Sequence, residues 1–146
     1  MKIVFQFVMI LIIMGLYSCQ QKENQKRTVE KTEVEQEDVM QIPFVSLNEG
    51  QLWEANAETT QGIKNMQQRI ADFSIDGGNS EEVITQLKAE FAMIFKKCTM
   101  TGEAHEQLHN YLIPLQSKIE SLSEAVTVEK TEDFKMYLEA YFNYFQ

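Results

Sequence analysis

The residues of this chain that are best suited to chemistry lie between positions 98 and 109. This stretch holds Cys98, Met100, His105 and His109, and these two histidines are the only ones in the chain. Histidines four positions apart share one face of a helix and can point at the same ion. Thiolate, thioether and imidazole together form a soft ligand set that suits copper first and zinc second. The stretch therefore predicts a metal site with these four side chains as ligands.

Further side chains are expected around that site. Imidazole ligands are usually oriented by the hydrogen bond that the second ring N–H donates to a neighbouring polar group. Glu103 could instead complete the ligand shell, which would favour zinc. The polar or aromatic residues expected to support the ligands are Trp53, Asn56, Thr59 and Tyr141.

Other interpretations of the same residues stay open. Cys98 can be a small buried side chain that only packs, and the histidines can be hydrogen-bonded structure. A thiol redox role for Cys98 would require an accessible thiol. As a catalytic nucleophile Cys98 is disfavoured, because it is predicted to end a helix, where the carbonyl dipoles oppose a thiolate. We therefore expect a protein that is not an enzyme.

The elements that must position these residues are helices. From about Asn48 onward, apolar residues recur at alternating spacings of three and four, which predicts four amphipathic helices and an all-α, antiparallel up-down four-helix bundle. Asn79 and Glu82 form a capping-box pattern at the second helix, and Pro114 should bend the third. The fourth helix is predicted to include Tyr141 and Phe145. In this topology the predicted metal ligands and their supporting residues meet at one end of the bundle.

The charge balance limits the possible partners. The chain has 22 acidic and 13 basic side chains and a formal net charge of −9. Such an acidic protein is a poor ligand for nucleic acid, so we expect none as a partner. Cations and basic protein surfaces suit it better.

The N-terminus has the pattern of an export signal. Lys2 precedes an apolar run from Ile3 to Leu16, which is shorter than the roughly 20 residues that span a bilayer. The sequence Leu16-Tyr17-Ser18-Cys19 then resembles the lipobox of bacterial lipoproteins. The resemblance implies cleavage before Cys19, acylation of its thiol and anchoring in a membrane of the cell envelope. Gln20, standing where Asp would signal retention, implies the outer membrane.

Three segments follow from these patterns. Residues 1–18 are the predicted signal peptide, residues 19–45 the acylated cysteine and a polar tether, and residues 46–146 the helical domain. The tether is expected to behave as a flexible coil with a span on the order of 30 Å. Its last residues, Ile42 to Val45, are apolar and are expected to fix it to the domain.

The sequence supports two functions. The first is a membrane-anchored lipoprotein that captures or buffers copper, with zinc as the second choice. The alternative is an interaction or structural module that docks an envelope protein and in which the Cys/His cluster is core packing. That alternative predicts an exposed apolar or aromatic patch, for which the fourth helix is one candidate because Tyr137, Tyr141, Phe142 and Tyr144 surround its apolar seam.

Overall fold

A computed structural model of the protein describes residues 42–146, and all regular secondary structure in this part is helical. The four helices are α1 (Ala57–Asp72), α2 (Ser80–Lys97), α3 (Gly102–Glu124) and α4 (Val128–Ala140). The prediction of an all-α domain with four helices is confirmed for this part. The predicted signal peptide, Cys19 and tether residues 20–41 lie outside the described residues. Within residues 42–146, no helix has both the length and the apolar character needed to cross a bilayer.

The start of α2 follows the predicted capping pattern. The side chain of Asn79 accepts a hydrogen bond from the backbone N–H of Glu82 at 3.2 Å. Lys96 and Lys97 lie in the last turn of α2, where the negative end of the helix dipole favours them. Cys98 caps this helix, and its backbone N–H donates to the carbonyl of Ile94. The end of α2 therefore fixes the backbone position of the cysteine.

The first helix begins later than the sequence predicts. The prediction that helix begins at about Asn48 is wrong, because α1 starts only at Ala57. Asn48 and Gln51 exchange two backbone hydrogen bonds of 2.9 Å around a tight turn, in which Glu49 and Gly50 have positive φ angles. Such a turn ends any helical path through these residues. Trp53 consequently lies in an extended segment and not on a helix.

The C-terminus pairs with that extended segment through backbone hydrogen bonds. The backbone N–H of Trp53 donates to the carbonyl of Tyr144 at 2.7 Å, and that of Gln146 donates back to the carbonyl of Trp53 at 3.0 Å. The predicted continuation of the fourth helix to Phe145 is wrong, because α4 ends at Ala140 and a single 3₁₀ turn covers Tyr141–Asn143. Phe145 is nevertheless buried. The two chain segments thus satisfy each other's backbone groups where neither is helical.

The apolar faces of the four helices enclose one core, so the domain is bundle-like. Helix α1 packs chiefly on α2 and α4, and α3 packs on the same two helices. Helices α1 and α2 lie close together at Gly62, where an added Cβ would lie 2.6 Å from the Cγ1 atom of buried Ile94. Between α3 and α4, the hydroxyl of Tyr111 donates to the carbonyl of Tyr137, and that of Tyr137 donates to the carbonyl of Tyr111. These contacts hold the helix pairs in register.

The segment before α1 also packs on the domain. Ile42 and Val45 are buried in the core. The side-chain amide of Asn110 donates to the carbonyl of Phe44 at 2.8 Å, and the backbone N–H of Ser46 donates to Gln107 Oε1 at 2.9 Å. We call residues 42–47 the strap. It lies against α3.

Candidate metal centre

The end of α2 and the start of α3 bring together Cys98 and His105. The Sγ atom of Cys98 lies 3.6 Å from Nδ1 of His105. Only the short loop from Cys98 to Thr101 separates the two helices, so the two side chains meet within one turn of each helix end. Both side chains are half-buried. This pair joins two of the three donor types that the sequence singles out, the thiol and the imidazole.

His109 lies next to His105 and extends the pair along α3. The two imidazole rings have centroids 4.4 Å apart and planes tilted by 52°. The ring of Phe95 on α2 meets His109 edge-on at 6.0 Å, and Phe91 follows at 5.0 Å from Phe95. The histidines therefore belong to a row of rings, in tilted and edge-on contact, on the surface between α2 and α3.

The remaining predicted donors are less closely grouped. Met100 is half-buried and packs against the core, and Glu103 is exposed in the first turn of α3. Within the part of the chain that the structure describes, no three His, Cys, Asp or Glu side chains are arranged to hold a metal ion. The structure thus pairs two donors directly and places a third beside them.

The four predicted supporting residues lie at this end of the domain, but the hydrogen bonds they make there go to partners other than the predicted metal ligands. The indole N–H of Trp53 donates to the carbonyl of Ser46 at 2.6 Å. The amide of Asn56 donates to the carbonyl of Lys97 at 3.3 Å, and the hydroxyl of Thr59 donates to Asn56 Oδ1 at 2.8 Å. The hydroxyl of Tyr141 lies 3.0 Å from that of Thr60 on α1. Of these four residues, Asn56 bonds closest to Cys98 and His105, because its partner is the carbonyl of the residue before Cys98.

The electrostatics of this end follow from the same bonds. The side-chain amide of Asn56 also donates to Glu58, and this bond holds the pKa of the Glu58 carboxyl below its usual range. Burial raises the pKa of Tyr141 to about 12, so its hydroxyl stays neutral around physiological pH. The supporting residues therefore contribute neutral hydrogen-bonding groups, and the charges at this end are the exposed side chains of Glu58, Glu103, Lys96 and Lys97.

The candidate aromatic patch on the fourth helix is wrong for two of its four residues, and the other two, Phe142 and Tyr144, are half-buried. Tyr137 and Tyr141 are buried, because their rings pack against Tyr111 in the core. The exposed apolar side chains of α4 are instead Val128 and Met136, and those of α2 are Met93 and Phe95, each of these two 44% exposed. The sequence reasoning missed Phe95, although its position three residues before Cys98 placed it within reach of the same surface.

No protein family, curated protein or solved structure matches this chain.

Proposed function

We propose that this chain is a membrane-anchored envelope lipoprotein whose helical domain binds one soft metal ion, copper in preference to zinc, for capture or buffering. The observation that carries the proposal is the 3.6 Å separation of Cys98 Sγ and His105 Nδ1. In a tetrahedral zinc site, bond lengths near 2.3 Å to sulfur and 2.0–2.1 Å to nitrogen put the two ligand atoms about 3.5–3.6 Å apart. An ion can therefore bind both atoms with little movement. In the metal-free protein the same distance fits a weak hydrogen bond between thiol and imidazole.

The small number of donors favours copper over zinc. Structural zinc sites are almost always four-coordinate, whereas Cu(I) is stable with fewer ligands and prefers thiolate and thioether sulfur. Cys98 and His105 are the primary ligands in this proposal. His109 joins them after a rotation of its ring, and Met100 or Glu103 completes the shell.

The arrangement of the helices supports convergence of the ligands at one end. We propose that the four helices run alternately up and down. Asn56 at the start of α1 bonds to Lys97 at the end of α2, and Arg69 near the end of α1 bonds to Gln86 in the first half of α2. Lys118 of α3 pairs with Asp133 of α4 at 2.6 Å. Neighbouring helices that run antiparallel place the start of one beside the end of the other in this way.

Membrane anchoring is the second part of the proposal. It is supported by the lipobox-like sequence that ends at Cys19 and by the polar composition of residues 20–41. Several acyl chains together anchor a protein firmly, since each buried CH₂ contributes about 0.8 kcal/mol. We place the protein in the outer membrane. Mass spectrometry of protein purified from membranes should find a chain that begins at an acylated Cys19, and an unmodified N-terminus at Met1 would refute this part.

The test of the metal site uses the chain from Gln20 onward, in which Cys98 is the only thiol. Titration against a competing Cu(I) chelator, and separately with Zn(II), should show one tight equivalent of copper. Binding should raise the melting temperature and protect Cys98 from iodoacetamide. Cys98→Ser and His105→Ala should each weaken Cu(I) binding by at least about 100-fold, and His109→Ala by about 10-fold. Met136→Ala, a change at an exposed methionine of α4, is the matched control and should bind as the parent does.

A second candidate is an interaction module in which the histidines only pack. The row of rings from Phe91 to His105 favours it, since ring stacking accounts for the histidines without an ion. The same titration separates the two. Unchanged copper affinity in Cys98→Ser and His105→Ala would refute the metal proposal and leave the interaction module.

A further inference from the structure

The strap presents one aromatic side chain to solvent. Phe44 is 87% exposed, more than any other large apolar side chain in residues 42–146. Its neighbours in the strap behave differently, because Ile42 and Val45 are buried in the core. The exposure of Phe44 is thus not a general property of the segment.

The backbone at Phe44 is in a conformation that disfavours a large side chain. The N–H of Val45 donates to the carbonyl of Ile42 at 3.3 Å, Pro43 is second in this turn, and Phe44 is third with a φ of 69°. This is the pattern of a type II turn, in which the third position favours glycine or asparagine. Bulky residues rarely have positive φ. Neither packing nor backbone preference therefore explains a phenylalanine here, and a residue held in such a conformation points to a function.

The surrounding contacts hold the backbone on both sides of Phe44 in place. Asn110 binds the carbonyl of Phe44, and Gln107 binds the N–H of Ser46. Ile113, one turn further along α3 from Asn110, is 62% exposed. The exposed aromatic ring is therefore carried by a backbone that is clamped to α3, on a side of α3 that also presents an exposed isoleucine.

The position of Phe44 along the chain indicates what it contacts. Only residues 20–41 separate the strap from Cys19, and as a coil they would span on the order of 30 Å. A lipid anchor at Cys19 keeps Phe44 within that distance of a bilayer, so that even a weak apolar contact is populated. We propose that Phe44, with Ile113 beside it, inserts into the interfacial region of the membrane that holds Cys19. The inference rests on the proposed acylation of Cys19 and is independent of the metal site.

The contact would be apolar and not electrostatic. The chain is acidic overall, and the side chains that hold the strap, Gln107 and Asn110, are uncharged. Apolar side chains at a membrane surface bury themselves at the boundary between head groups and acyl chains. Such insertion would fix one side of α3 against the membrane.

The experiment uses the acylated protein in vesicles of phosphatidylethanolamine and phosphatidylglycerol with brominated acyl chains. Phe44→Trp places a reporter in the strap. Val128→Trp is the matched control, because Val128 is 65% exposed and follows the end of α3, which is about 20 Å from Asn110. Buried Trp53 contributes the same background to both variants. Lipid quenching should be at least about twofold stronger for Phe44→Trp.

The possible outcomes separate the two proposals. Equal quenching of two variants that both float with the vesicles would overturn the membrane contact alone. If neither variant floats with the vesicles, the anchor is refuted and the contact with it, while the copper titration is unaffected. As a second reporter, Ile113→Trp should be quenched in the parent background and lose at least about half of that quenching when combined with Phe44→Asn. Asparagine suits the turn, so this variant is expected to fold, and undiminished quenching would count against the inference.

Discussion

Alkaline pH is expected to unfold this domain through its buried tyrosines. Burial raises the pKa of Tyr141 from the ordinary 10.0 to about 12. Burial also raises the pKa of Tyr111 and of Tyr137 above the ordinary value, with the charge of neighbouring tyrosines as a smaller cause. In the unfolded chain these hydroxyls lose their protons near pH 10, whereas in the folded chain they keep them to higher pH. Unfolding therefore releases protons, and stability must fall as pH rises above 10.

The magnitude follows from the size of the shift. One pKa unit corresponds to 1.36 kcal/mol, so the shift of Tyr141 alone removes about 3 kcal/mol of stability between about pH 10 and pH 12. Total stabilities of small domains are about 5–15 kcal/mol. The loss should therefore be large enough to measure, and the other two buried tyrosines add to it.

The measurement is urea unfolding of the chain from Gln20 onward, followed by circular dichroism from about pH 8 to pH 12. Tyr141→Phe is the control. It should lower stability by about 1 kcal/mol at pH 8, because the hydrogen bond with Thr60 is lost. Above pH 10 its stability should fall less steeply than that of the parent, so that the two curves converge and cross. Both proteins share the general charge repulsion, so parallel curves would refute the assignment to Tyr141.

Two further substitutions test the frame of the candidate site. Gly62→Ala should lower stability by about 1 kcal/mol in urea unfolding, since overpacking against Ile94 exceeds the helix-propensity gain. It should also weaken Cu(I) binding, because the carbonyl of Ile94 accepts the hydrogen bond from the N–H of Cys98 at 2.9 Å. Gly77→Ala is the control, because there is open space around its Cβ, and it should change neither stability nor Cu(I) binding. Asn56→Ala should speed alkylation of Cys98 in the metal-free protein by freeing the preceding carbonyl, and an unchanged rate would exclude that role for Asn56.

The sequence was informative wherever the controlling interactions are local. Helix periodicity and the cap at Asn79 depend on residues within a few positions of each other, and both are seen in the structure. The meeting of Cys98 with His105 follows from a short loop between two helices. These features need no knowledge of the rest of the chain.

The errors arose where distant residues decide the local structure. Leu52 and Asn56 continue the helical spacing of α1, yet the residues around Trp53 pair with the C-terminus, some ninety positions away in sequence. Spacing alone cannot reveal this pairing, although the Asn-Glu-Gly run at residues 48–50 was a turn signal. The positive φ of Phe44 could not be predicted because the local signal is missing. Its turn lacks the glycine or asparagine that usually marks such a position.

The proposed copper site and the proposed membrane contact use different residues of α3. At 100° per residue, His105 and His109 lie about 150° around α3 from Gln107 and Asn110. The histidines lie on the side that faces Phe95 of α2, and the other two residues hold the strap. Ile113 lies between the two groups, about 40° around α3 from His109 and about 60° from Asn110. If Phe44 and Ile113 rest in the membrane, His109 therefore lies beside that contact, and His105 lies one turn further from Ile113. The proposed copper site would thus lie at the edge of the membrane contact, where an ion or a partner at the membrane surface can reach it.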